Sequence, residues 1–280
     1  MKPTTPEVSG PHPAGAAGSV VEPAVSGGSL RPMTRRFLGW ELAIVLGLSL
    51  GRSAVYAVLQ LAERLSLAPL AEQSATVQTS RSRAEFFDLS YQVLDSLFAL
   101  FPVALVFYLF FLHGMNPFRR FGLDLRRPVR DLSLGVGLFL IIGLGTLVVY
   151  GAGRAAGITT EIIPADVGEH WWTSPVLILA ALRHSLLEEV IMVAYLFDRA
   201  RRIWPRASIW LIILAAAILR GAYHLYQGFG PGIGNLLMGI IFGWLYHRYG
   251  RVMPLVVAHL LLDVAAFLAF PLVLQLAQLE

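Results

Sequence analysis

Apolar runs of membrane length, separated by short arginine-bearing segments, set the pattern of this chain. About 20 apolar residues in a helix cross a bilayer core. Seven such runs are expected as helical spans, at about 37–62, 88–112, 132–152, 174–197, 207–224, 232–247 and 252–276. An eighth helix stays open if the 65–87 segment, or the last run, breaks differently. The expected fold class is therefore all-α, a polytopic transmembrane helix bundle. Residues 1–33 fall outside the pattern, being rich in Pro, Gly, Ser, Ala and Val with few large apolar side chains. Such a stretch cannot bury enough surface to order itself, and a disordered tail is expected there. It lacks the continuous apolar core of a signal peptide, and Met33 is a candidate alternative start. Residues 34–170 then hold three spans and residues 171–280 four. No long-period internal repeat interrupts this division.

Composition agrees with the pattern. The chain is 56% hydrophobic and 14% charged, with a mean hydropathy of +0.65; a soluble domain carries about 25% charged residues. The net charge of +4 does not form one basic face, so no nucleic-acid partner is expected. The cations instead report topology, because cytoplasmic loops are enriched in lysine and arginine. With the N-terminus inside, fifteen of the lysines and arginines fall in cytoplasmic segments, four fall outside and three lie within spans. This predicts a multi-pass integral membrane protein with the N-terminus in and the C-terminus out. Absence of cysteine excludes disulfides, thiolate zinc sites and a cysteine nucleophile.

Against this apolar background the run from Ser174 to Phe197 stands out, because it carries Arg183, His184, Glu188 and Glu189. Ionised groups at membrane depth are costly and normally face other helices or a wet cavity. Two more runs carry polar groups one helical turn apart: Arg220 with His224, and His259 with Asp263. A carboxylate there can serve as a base, and a histidine beside it can share in activating water or, when neutral, bind a metal. A second histidine with a short polar partner can donate hydrogen bonds to a developing oxyanion. Together these are parts for hydrolysing an amide with water as nucleophile. The HExxH pattern of a conventional zinc peptidase is absent. Arg52 and Asp95, at similar depth in the first two runs, read as a structural ion pair. Arg183 is a candidate to neutralise a carboxylate.

At these residues the sequence resembles the CAAX protease and bacteriocin-processing (CPBP or Abi) family of intramembrane proteases, over about residues 170–266. That family carries Glu-Glu-x-x-x-Arg, Phe-x-x-x-His and His-x-x-x-Asn/Asp on separate helices. Glu188-Glu189 matches the first motif, His224 the second, and His259 with Asp263 the third. The resemblance implies that Glu188 activates water with help from His224, while His259 and Asp263 hold the oxyanion or complete a metal site. It leaves Glu189 open as a catalytic or a supporting group. Metal candidates are Glu188, His224, His259 and Asp263, for a divalent ion such as zinc, and a metal-free mechanism is the alternative. The implied substrate is a membrane-associated protein or peptide, and the implied location is a bacterial plasma membrane.

Two positions depart from the family pattern. Val193 stands where the first motif has arginine, and Arg220 where the second has phenylalanine. Arg220 or Arg183 is expected to supply the missing cation from nearby. The same departures also suit an inactive member acting as an immunity or scaffold protein, and buried Glu, His and Asp also suit a proton-coupled transporter. Counting helical rise from the cytoplasmic side puts Glu188 and His259 about 14 and 10 Å deep, but His224 about 26 Å. The three meet only if the turn at 225–232 is sunk below the surface, which is the expectation. Glycines at 221, 228, 230, 232, 234, 239 and 243 point to close helix packing, with Asn235 a candidate to hydrogen-bond across it. Trp171, Trp172, Trp204 and Trp210 are expected as interfacial anchors.

Overall fold

The computed structural model describes residues 33–269. The expected tail, and the end of the expected seventh span, lie outside the described residues. The chain folds as a helix bundle. α1 (Arg35–Gly47) and α2 (Leu50–Leu67) are bent by 52° at the break between them. β1 (Ser74–Thr79) follows, then α3 (Glu85–Ala99) and α4 (Phe101–Leu112), the short α5 (Pro117–Phe121) and the long α6 (Pro128–Ala155). After β2 (Glu161–Asp166), α7 (Thr173–Glu188) runs through a π-helical segment (Glu189–Tyr195) into α8 (Leu196–Ile203). α9 (Ile209–Tyr223), α10 (Phe229–Tyr249) and α11 (Met253–Val264) complete the bundle.

Among the described residues, three helical stretches are long and apolar enough to cross a membrane, namely Glu85–Leu112, Pro128–Ala155 and Phe229–Tyr249, and the bent α1–α2 pair makes a fourth if counted as one span. On α6, Ile141, Leu144 and Val148 share one helix face and are all exposed, as a lipid-facing stripe requires. The run from α7 to α8 is the reverse case: Val190 through Phe197 are all buried, apolar on every side of the helix. Phe110 of α4, Phe121 of α5, Ile213 of α9 and Phe242 of α10 belong to the same core. A helix hydrophobic all round belongs at the centre of a bundle, and this one is surrounded.

Several expectations are corrected. Segment 65–87 forms no eighth helix; it ends α2, makes a 3-10 turn at Leu70–Glu72 and then β1, which pairs in parallel with β2. Arg52 and Asp95 are not partners. The loop before α3 folds back so that Arg81 meets Asp95 at 2.9 Å, while the Arg52 guanidinium lies 5.5 Å from the Tyr56 ring centre. Trp172 is buried, donating its Nε1–H to Glu85, whereas Trp171, Trp204 and Trp210 are exposed. Asn235 donates to the carbonyl of Pro231 one turn back on its own helix, not across an interface.

The glycines of α9 and α10 let those helices touch backbone to backbone. A Cβ on Gly221 would stand 2.8 Å from the Gly232 carbonyl oxygen, and one on Gly239 would stand 2.9 Å from the Ala217 Cα. The turn between the helices is held down by the 158–160 loop. Gly228, at φ +100°, lies with its ideal Cβ 2.9 Å from the Ile158 carbonyl oxygen, and Phe229 donates its N–H to that same carbonyl. Gln227, Gly228, Gly230 and Gly232 are buried, so half of the 225–232 turn is covered by protein, while Phe229 is exposed. Gly221→Ala is expected to destabilise the protein by about 1–3 kcal/mol through overpacking, less a small gain in helix propensity. Gly234→Ala, whose Cβ would meet only Val149 at 3.7 Å, is expected to be neutral or slightly stabilising. Thermal unfolding of both variants in detergent checks the difference in sign.

Candidate active site

Glu188 closes α7 and Glu189 opens the π-helical segment. Adjacent side chains on an α-helix diverge by about 100°, from 3.6 residues per turn. The wider π turn reduces that angle and brings the two carboxylates toward the same neighbours. Those neighbours come from α9 and α11. Arg220 places Nη1 2.8 Å from Glu189 Oε1 and Nη2 3.3 Å from Glu188 Oε2. His259 Nδ1 lies 2.7 Å from Glu189 Oε1. The same Nδ1 lies 3.3 Å from Arg220 Nη2, so His259 sits between the guanidinium and the carboxylate. Tyr223 donates its hydroxyl to Glu188 Oε2 at 2.8 Å.

The expected cation is thus supplied by Arg220, while Val193, at the motif position for arginine, is buried in the apolar core. Arg183 does not take part: its guanidinium contacts His184, and it forms no ion pair among the described residues. Arg220 is itself buried, with the Phe242 ring centre 5.4 Å away. Desolvating a guanidinium is affordable only beside opposite charge, and two carboxylates meet that need. One guanidinium against two carboxylates leaves the cluster one proton short of neutrality.

The remaining candidates divide. Asp263 stands between two histidines, with Oδ2 3.2 Å from His184 Nδ1 and Oδ1 3.8 Å from His259 Nε2. His224 caps α9, and its Nδ1 is 3.0 Å from the Arg220 carbonyl. A carbonyl only accepts, so His224 carries a proton on Nδ1, which in the neutral ring leaves Nε2 as an acceptor. It makes no direct contact with the carboxylates among the described residues. Asn235 is engaged on its own helix. Sequence reasoning missed Tyr223, whose only signal was a polar hydroxyl beside His224. It also missed Gln78 of β1, whose Nε2 comes within 3.5 Å of His184 Nε2.

The two glutamates differ in access. Glu189 is fully buried and its Oε2 has no partner, whereas the Glu188 side chain keeps 11% of its exposure. Tyr223, which holds Glu188, lines a groove of about 670 Å³ between α2, β1 and the 225–227 turn. Glu188, Glu189 and His259 offer ligand atoms within 4.8 Å of one another, a set different from the expected one in that His224 and Asp263 lie outside it. This donor set fits a divalent cation poorly. Glu189 Oε1 already lies 2.8 Å from Arg220 Nη1 and 2.7 Å from His259 Nδ1, and a metal placed among these atoms would face the guanidinium at contact distance.

Residues 170–265 match the family described as type II CAAX prenyl endopeptidase Rce1-like, consistent with the CAAX protease family that the three motifs resemble. At the family level this supports an intramembrane endopeptidase. No curated protein and no solved structure matched the chain.

Removing the guanidinium strands two buried carboxylates. Arg220→Gln is expected to destabilise the protein by about 3–5 kcal/mol. Adding Glu189→Gln to it should recover much of that loss, so that the two substitutions are strongly non-additive. A double-mutant cycle read by denaturant unfolding checks this, and additive effects would contradict the coupling.

Proposed function

We propose that the chain is a multi-pass intramembrane endopeptidase that hydrolyses a peptide bond in a membrane-associated protein or peptide, using water activated by Glu188. The observation that carries the reading is the asymmetry of the glutamate pair. Glu188 has a hydrogen-bonded oxygen, Oε2, held by Tyr223 and Arg220, and a second oxygen with no partner among the described residues. That second oxygen is where a water would bind. Glu189 has no access to solvent and serves by fixing Arg220 and His259.

In this reading Glu188 takes a proton from water as the oxygen attacks the carbonyl carbon. The unprotonated Nε2 of His224 accepts the second hydrogen bond of that water. Tyr226 lines the same groove, and its hydroxyl oxygen accepts from Gln227 at 2.6 Å, leaving its own proton to donate to the developing oxyanion. As the C–N bond breaks, Glu188 returns its proton to the leaving nitrogen. Asp263 orients His259 from behind, and His184 in turn orients Asp263. With the Arg220 guanidinium already set against both carboxylates, the reading routes no step through a metal. The arginine distribution supports a cytoplasmic N-terminus and a groove opening outward.

Membranes of cells lacking the endogenous protein, supplied with wild type, Glu188→Ala or His259→Ala at equal expression, test the reading by terminomics. New peptide ends are expected with wild type only, with losses of roughly 10²-fold or more in both variants, as for a missing general base or its support. Wild-type cleavage should persist in EDTA and 1,10-phenanthroline. Identical profiles for all three proteins would favour the non-catalytic scaffold, and chelator-sensitive cleavage would restore a metal to the site.

A further inference from the structure

We infer that the groove between α2 and β1 receives an extended polypeptide segment, paired as a third strand to the open edge of β1. This rests on the endopeptidase reading for the identity of the segment, and on the sheet for its mode of binding. Among the described residues, β1 has a partner on one side only. Glu161 donates its N–H to the Gln73 carbonyl at 2.8 Å, which fixes the alternation of the parallel ladder. The Gln73 carbonyl and the Ala75 backbone groups turn toward β2, and those of Ser74 and Thr76 turn away. The outward edge faces α2, because the Ser74 carbonyl accepts from Arg64 Nη1 at 2.9 Å. Thr76 comes next along that edge. A row of unpaired N–H and C=O groups is a template for another strand.

The groove has the place, size and direction for such a strand. Its volume of about 670 Å³ is bounded by Tyr56 and Gln60 of α2, by Thr76 and Val77 of β1, and by Tyr223 and Tyr226 at its inner end. A strand advances about 3.3 Å per residue, so six-residue β1 offers roughly 20 Å of edge. The inner end is the chemical end, since Tyr223 holds Glu188. Gln78, further along β1, reaches His184 and through it Asp263. A helical substrate shields its peptide bonds, and unwinding it at membrane depth strands its backbone donors and acceptors. Pairing with β1 supplies those partners where the bond must be exposed, the recognition mode of strand addition.

The cysteine-free chain makes the test direct. The full-length Thr76→Cys variant in nanodiscs is oxidised against the probe Ac-Val-Thr-Cys-Thr-Val-Thr-NH2. Two further probes carry N-methyl groups on alternate amides, one on each edge of the peptide. Cross-linking is expected with the parent probe and with one methylated probe, and should fall by roughly tenfold or more with the other, as lost backbone hydrogen bonds require. Val77→Cys, on the same groove wall, gives an independent attachment point if Thr76→Cys is unstable. No cross-link at either position, or equal cross-linking of all three probes, overturns strand pairing. Thr76→Cys combined with Glu188→Ala should cross-link as Thr76→Cys does. If it does while terminomics detects no cleavage by the wild type, strand docking stands and the endopeptidase reading falls.

Discussion

Two ionised carboxylates on neighbouring residues repel strongly in a low-dielectric interior unless a cation lies between them, and in this bundle the cation comes from another helix. Arg220 can reach Glu188 and Glu189 only because α9 and α10 approach at their glycines. A side chain on Gly239 would press on Ala217 and stand 3.3 Å from Arg220 Cδ. The face of Phe242 closes the other side of the guanidinium. The small-residue seam and the charge cluster are therefore parts of one arrangement. The seam sets where the guanidinium lies, and the guanidinium sets where the carboxylates point.

The same helical run carries a second buried ionic group beyond the π-helical segment. Arg199 meets Glu41 at 2.7 Å and Asp198 at 2.8 Å, lies over the Phe110 ring, and shares Glu41 with the hydroxyl of Tyr195. Glu41 belongs to α1, so this group fastens the first described helix to the central one. Arg199 is fully buried. Burial of charge alone therefore does not distinguish a site from a fastening. The unpartnered oxygens of Glu41 and Glu189 are buried; what distinguishes Glu188 is a side chain that keeps 11% exposure, held by a residue that lines open space.

The residues that build the carboxylate cluster were legible because charge is rare in apolar runs. Glu188, Glu189, Arg220 and His259 each stood out for that reason, and α7, α9 and α11 bring them together. The relocation of the arginine was legible as a gap at Val193 and a surplus at Arg220. What stayed hidden is what apolar periodicity does not encode. β1 and β2 are short and lie far apart in sequence, so neither Thr76-Val77 nor Ile162-Ile163 separates a strand from a loop. Asp95 found Arg81 rather than Arg52 because a loop of unpredictable path folded back on α3. Trp172 and Trp171 are neighbours of one type, and only the packing against Glu85 and His170 buries the first.

Those unreadable segments are the ones that govern access. β1 forms one wall of the groove, the 225–227 turn its inner end, and the 158–160 loop the cover over that turn. Thr160 ties the cover down by donating both its N–H and its hydroxyl to the Gln227 carbonyl. Backbone outside helices needs partners of its own, and here these segments supply several to one another, Glu161 donating to the Gln73 carbonyl and Phe229 to that of Ile158. The sheet thus does for the outer part of the fold what Arg220 does for its centre. It gives polar groups that the bilayer would exclude a fixed set of partners, and leaves one edge and one carboxylate oxygen open on the path between them.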